Sequence, residues 1–171
     1  MKLSFSSQVT KDSVFNDIEQ HLLSQQMKIV VQDDDRPWGG FFVIDEKNAE
    51  EFIHIYFPQL NSNDILPGHK LSPKILIIAP HKRLSWQYHH RRSELWRLIG
   101  GTAAVVRSET DEEKETINLD ISETIQLKQG ERHRLVGLDT WGIIAEIWQH
   151  TNDQQPSDED DIIRVQDDYG R

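Results

Sequence analysis

Cysteine is absent from the chain. That excludes disulfides, thiolate zinc sites and thiol nucleophiles, so any metal must be held by nitrogen and oxygen ligands. No apolar run approaches the ~20 residues that a membrane span requires, and the opening Met1-Lys2-Leu3-Ser4-Phe5-Ser6-Ser7 has none of the apolar stretch of a signal peptide. A soluble, cytoplasmic protein with no membrane partner is expected. Basic charge is also scarce: 19 Lys and Arg face 29 Asp and Glu, a formal charge of -10. A surface of that sign does not suit the phosphate backbone of a nucleic acid. Internal repeats are absent too, and 171 residues suffice for one domain with a real core.

What is present falls into two parts. Residues 12–26 carry apolar side chains at helical spacing (Val14, Ile18, Leu22), with Asp12 or Ser13 as the expected cap. Asp33-Asp34-Asp35-Arg36-Pro37 has the composition of a turn. Gly40–Ile44 is expected to be a strand and Ala49–Phe57 a short helix ended by Pro58; Asn61–Asp64 and Pro67-Gly68 are expected loops. From Lys74 onward the pattern becomes short strands: Lys74–Pro80, Leu95–Ile99, Thr102–Val106, Thr116–Leu119, Thr124–Leu127, Arg134–Val136 and Gly142–Trp148. Gly100-Gly101 looks like a two-residue hairpin turn. The spacing predicts an antiparallel sandwich or barrel. Trp86, Trp96, Trp141 and Trp148 are expected in its core. The acidic tail from Thr151 is polar, yet Ile162, Ile163, Val165 and Tyr169 give it anchors for partial docking on the barrel.

The stretch with most chemistry is Leu84-Ser85-Trp86-Gln87-Tyr88-His89-His90-Arg91-Arg92-Ser93-Glu94. Strand alternation points Gln87 and His89 to one face and Tyr88 and His90 to the other. Glu94 can return to the same pocket after a bend, and His133, just after Gly130, can join from another strand. One amide, two imidazoles and one carboxylate suit a borderline divalent cation: zinc, iron, manganese or nickel. Each has a bland alternative, Gln87 as a sheet hydrogen-bonder and any one histidine as a core residue. Residues 81–97 also hold Lys82, Arg83, Arg91, Arg92 and Arg97 against a single acid, Glu94. Such a basic cluster in an acidic chain fits one small anion better than a polymer. Metal beside anion suggests chemistry on a sugar phosphate.

These residues carry a resemblance. Leu84–Trp96 followed by Gly101-Thr102-Ala103 resembles the signature of cupin-type (type II) phosphomannose isomerases. Arg36-Pro37-Trp38-Gly39, Gly130-Glu131-Arg132-His133, and Glu159–Arg164 with Asp168–Arg171 agree with it in order. The resemblance implies a mainly β cupin fold, a double-stranded β-helix or jelly-roll barrel. Residues 1–35 would form a short N-terminal helical and strand extension, and 36–171 the cupin domain with its tail. In many relatives such a cupin is fused behind a nucleotidyltransferase, for which no glycine-rich loop exists here. The chain departs from the family motif at Arg91 and Leu95, where a histidine is usual, at Lys128-Gln129-Gly130 and at Gly137. Gln87 compensates if the set is similar to the zinc set of type I enzymes.

The implied activity is metal-dependent interconversion of mannose 6-phosphate and fructose 6-phosphate, through proton abstraction alpha to a carbonyl and a cis-enediol. The cofactor would be one divalent metal, zinc first among the candidates, on Gln87, His89, Glu94 and His133. Arg92 would add charge stabilisation, and Lys82, Arg164 or Arg171 would bind the phosphate. His90, Glu146 and an acid of the tail are candidates for the proton-transfer group. A homodimer is the expected assembly. Two other readings are a non-catalytic cupin that binds a sugar or sugar phosphate, and a metal-free sugar epimerase with His89 or His133 as base.

Overall fold

The computed structural model describes residues 3–60, 65 and 70–170. The expected loop at residues 61–64 and 67–68, and Arg171, lie outside them. Helix α1 (Lys11–Ser24) starts at Thr10, whose side chain accepts the Ser13 N–H, so the cap sits two residues before Asp12. Strands β1 (Ile29–Asp33) and β2 (Gly39–Ile44) follow, then helix α2 (Ala49–Tyr56). The strands β3 (Leu71–Ile78), β4 (Trp86–Tyr88), β5 (Arg92–Gly100), β6 (Ala103–Ser108), β7 (Ile117–Asn118), β8 (Thr124–Leu127), β9 (Arg132–Gly137), β10 (Gly142–His150) and β11 (Ile163–Gln166) complete the chain. No helix among the described residues is long and apolar enough to cross a membrane.

The strands form two antiparallel sheets, β1-β2-β3-β10-β5-β8 and β11-β4-β9-β6-β7. One expectation fails at Gly100-Gly101. β5 and β6 belong to different sheets, so these glycines carry the chain across the sandwich rather than closing a hairpin. The sequence cue is the same because both uses need a residue without Cβ. A Cβ on Gly101, whose φ is +65, would lie 1.7 Å from the Trp141 carbonyl oxygen. β3 also begins earlier than expected and contains Pro73. Its pairing with β2 stops at Lys74, so the proline sits where that side of the strand has no partner.

Alternation along the central strands builds two separate cores. Ile75 and Ile77 of β3, Leu95 of β5 and Ile143, Ala145 and Ile147 of β10 face outward, where Val14, Phe15, Ile18 and Leu22 of α1 and Phe52 and Ile53 of α2 cover them. Leu76, Ile78, Trp96, Leu98 and Ile144 point between the sheets and meet Ala103, Val105, Leu127 and Leu135. β10 is therefore buried on both faces along its whole length. The inward positions Lys74, Glu94, Trp96, Glu146 and Trp148 stop being aliphatic toward one end, and there the barrel opens into a cavity of about 350 Å³. The chain after β10 returns over that end, and β11 pairs with β4.

Candidate metal centre

β4 and β9 lie side by side with Gln87 opposite His133, and β5 brings Glu94 across from the other sheet. The result is a cluster of His89, Glu94 and His133, all buried, whose ligand atoms lie within 4.8 Å of one another. His89 Nε2 is 3.2 Å from Glu94 Oε1 and His133 Nε2 is 3.3 Å from Glu94 Oε2.

Hydrogen bonds fix the tautomers. His89 Nδ1 lies 2.6 Å from the Asp161 carbonyl oxygen and His133 Nδ1 lies 2.9 Å from that of Glu131. A carbonyl only accepts, so both Nδ1 atoms carry the proton and both Nε2 atoms present lone pairs toward the carboxylate. Burial holds the His89 imidazole neutral, with its pKa pushed down to about 3 against the pull of Glu94. Burial opposes ionisation of Glu94 as well, but the Arg92 guanidinium bonded to it outweighs that cost and holds the carboxyl well below its usual range. Arg92 donates from Nε to Glu94 Oε1 at 2.7 Å and places Nη2 3.1 Å from His89 Nε2. His133 Nε2 has no hydrogen-bond partner. A buried lone pair facing an ionised carboxylate calls for a cation between them. The donor set, two imidazole nitrogens and a carboxylate, is one that zinc and its neighbours accept. The residues therefore fit a divalent metal.

A family model described as mannose-6-phosphate isomerase C-terminal matches residues 44–167. The chain belongs to that family. Its curated relatives are longer proteins. Xanthan biosynthesis protein XanB of Xanthomonas campestris pv. campestris is 29% identical over 136 residues, covering 80% of this chain and 23% of XanB. Mannose-1-phosphate guanylyltransferase ManC of Salmonella typhimurium is 30% identical over 129 residues, 71% of this chain and 24% of ManC. Alginate biosynthesis protein AlgA of Pseudomonas aeruginosa is 30% identical over 123 residues, 72% of this chain and 24% of AlgA. This member of the family thus spans about a quarter of the length of the curated relatives it matches. Among solved structures, CapF with the inhibitor 3-isopropenyl-tropolone superposes with a TM-score of 0.54 at 13% identity, covering 82% of this chain and 34% of CapF. An oxalate decarboxylase of Bacillus subtilis gives 0.52 at 10%, covering 75% and 29%. These likenesses show the fold, the cupin barrel.

Within this family member, the sequence-derived site residues divide. Gln87 lines the cavity beside Glu94, its Oε1 accepting the Ser85 hydroxyl. Arg92 and Arg164 line the same cavity. His90 does not: strand alternation turns it outward, where it is exposed and its ring meets Tyr88 edge-on at 5.3 Å. Lys82 is exposed and bonded through its carbonyl to Gly137, at the end of β9 away from His133, so the expected phosphate contact is not at the cavity. The four tryptophans expected in the core are buried, although Trp96 and Trp148 also form cavity wall, as does the fifth, Trp38.

Arg36, Lys74 and Glu146 are cavity residues outside the metal and phosphate sets read from the sequence. Arg36 reaches the mouth from the loop before β2. Lys74 is buried, lies 3.4 Å from the centre of the Trp148 ring and pairs with Glu159 of the tail. Glu146, entertained only as one of three proton-transfer candidates, is buried and accepts the Trp96 Nε1–H at 2.8 Å. Burial, helped by the Glu94 charge, pushes its pKa up to about 8. A single Lys or Glu inside an aliphatic strand, in the barrel-facing register, is the signal that finds Lys74 and Glu146.

Proposed function

We propose that the chain is a metal-dependent aldose–ketose isomerase of a sugar phosphate, with mannose 6-phosphate and fructose 6-phosphate as the first pair to test. The observation that carries this reading is the unpartnered His133 Nε2 facing Glu94 Oε2, with Glu94 itself lining a cavity of charged side chains and aromatic rings. Family membership supports it. His89, Glu94 and His133 hold the cation, with the Gln87 amide beside them. A divalent ion bound there supplies Lewis-acid stabilisation to the enediolate charge that dominates the uncatalysed barrier.

The chain's own residues do the rest. Arg92 keeps Glu94 ionised and adds fixed positive charge, which costs no reorganisation during the reaction. Arg36 and Arg164 face the phosphate from the cavity mouth, since guanidinium forks match phosphate oxygens. Trp38, Phe41 and Trp148 give the sugar apolar faces and exclude water. Glu146 is the carboxyl that takes the proton from one sugar carbon and returns it to the next. Its raised pKa lets it serve as acid and as base near neutral pH. Lys74, buried near it, favours the ionised form of Glu146.

One observation favours a second reading. Arg92 already occupies the His89 and Glu94 lone pairs, as an internal cation would in a cupin that only binds the sugar phosphate. A coupled assay of mannose 6-phosphate turnover, run with chelator and again after adding back Zn²⁺, Mn²⁺ or Ni²⁺, separates the two. Turnover lost to chelator and restored by metal supports the isomerase. No turnover in the metal-loaded protein, with a ligand-induced rise in melting temperature, supports the binding module.

A further inference from the structure

We infer that Asp161, in the acidic tail, is the positioning residue that locks His89 into its metal-facing orientation. The inference rests on the reading of His89 as a ligand and extends it to a residue that the proposed chemistry does not use. Asp161 is buried although its neighbours Asp158, Glu159 and Asp160 are exposed. Its backbone carbonyl accepts the His89 Nδ1–H at 2.6 Å across 72 residues of sequence. Its carboxylate accepts the backbone N–H of His90 on Oδ1 at 3.0 Å and that of Arg91 on Oδ2 at 2.9 Å. These amides belong to the turn between β4 and β5. The carboxylate also takes the Ser157 hydroxyl at 2.7 Å, and the Arg91 guanidinium lies 3.7 Å away.

One residue therefore grips the metal-site turn twice, by its main chain on the ring of His89 and by its side chain on the next two amides. The same short segment holds the neighbouring cation: Arg92 Nη1 donates to Ser157 Oγ at 2.8 Å and to the Asp158 carbonyl at 3.1 Å. An imidazole that ligates a metal needs an acceptor for its other N–H to fix tautomer and ring angle. For His133 that acceptor lies two residues back along the chain, on Glu131 just before β9. For His89 it comes from the tail, and the Asp161 carboxylate fixes that carbonyl's residue to the turn that carries the imidazole.

The test uses the full chain in two arms. Long-range proton–nitrogen NMR of the metal-free protein reads the His89 tautomer. The wild type shows the Nδ1–H form, whereas free neutral histidine prefers Nε2–H. Asp161→Ala is expected to lose the Nδ1–H form and to weaken Co²⁺ binding by about 10- to 100-fold, the range for residues that orient a ligand. Asp161→Asn keeps the shape and one acceptor oxygen, and is expected to fall between; it also serves if the alanine variant does not fold. Asp168→Asn is the control, since Asp168 is also a tail acid but binds Arg83; Co²⁺ affinity and tautomer should not change. An unchanged tautomer and a Co²⁺ affinity within twofold of wild type in a folded Asp161 variant would overturn the inference. If the wild type binds no Co²⁺ but Asp161→Ala still loses the Nδ1–H form, the imidazole lock stands and the metal reading fails.

Discussion

His133 offers its Nε2 lone pair to Glu94 Oε2 across 3.3 Å with no donor hydrogen between them, and two buried acceptors at that separation repel. His133→Ala removes both the repulsion and the ligand. It is expected to weaken Zn²⁺ binding by more than about 100-fold, beyond the loss from residues that only orient a ligand, while the apo protein keeps its melting temperature. Competition with a chromophoric chelator measures the first and thermal denaturation the second. Glu146 makes a different prediction. With its pKa at about 8, kcat/KM should rise with pH up to about 8, as the carboxylate appears. Glu146→Gln should abolish that limb and lower kcat by about 10²- to 10⁴-fold with the metal still bound; a pH–rate profile checks it. At this scale the sequence was legible where alternation applies. It put Gln87 and His89 on one face and His90 on the other. It was illegible where a partner arrives from far along the chain, as Asp161 does, and where a charged residue sits among aliphatics, as Lys74 does. A lysine in a strand cannot be assigned to water or cavity until the tilt and closure of the barrel are known.

β3, β5 and β10 each carry two apolar stripes, and the helices cover one of them. α1 is therefore part of the sheet's outer core although it precedes the barrel. Leu22 is fully buried there, and Leu22→Ala is expected to cost about 2–5 kcal/mol of stability, read as a fall in the denaturant midpoint at unchanged slope. A null effect would mean that the helix contributes nothing to the fold. Element existence was legible for α1, α2 and most strands because their periods are strong. Element pairing was not: the Gly100-Gly101 cue for a hairpin is identical to the cue for a crossover between sheets, and only the approach of the Trp141 carbonyl distinguishes them. Pro73 hid the start of β3 for a similar reason, since proline is tolerated where one side of a strand is unpaired.

Over the whole molecule, burial is set against charge, and pH tips the balance. His150 is buried between Ser72 and Ser157, and burial, then the Lys70 charge, push its pKa to about 4. His89 lies at about 3 for the same first reason. Unfolded imidazoles titrate near about 6.5, so below that pH the unfolded chain binds more protons and stability falls as pH drops toward 4. Glu146 works the other way, because its folded pKa is raised, and the stability it contributes is lost as pH rises through about 8. Melting temperature should therefore peak between about pH 6 and 7, and His150→Gln should flatten the acid side. The tail belongs to this scale too: its composition resembles a disordered segment, yet β11 pairs with β4 and Asp161 reaches the metal site. The partial docking expected from Ile162, Ile163, Val165 and Tyr169 does occur, but Ile163 and Val165 are exposed, and main-chain pairing with β4 and the Asp161 contacts, which no side-chain pattern announces, attach the segment instead. The central claim is that His89, Glu94 and His133 together hold one divalent cation. Titration of the purified chain with Co²⁺, followed by its visible d–d absorption, tests it most directly. Saturation at one equivalent per chain in the wild type, with the bands lost in His133→Ala, is the predicted result; no saturable absorption, or the same spectrum in His133→Ala, would contradict it.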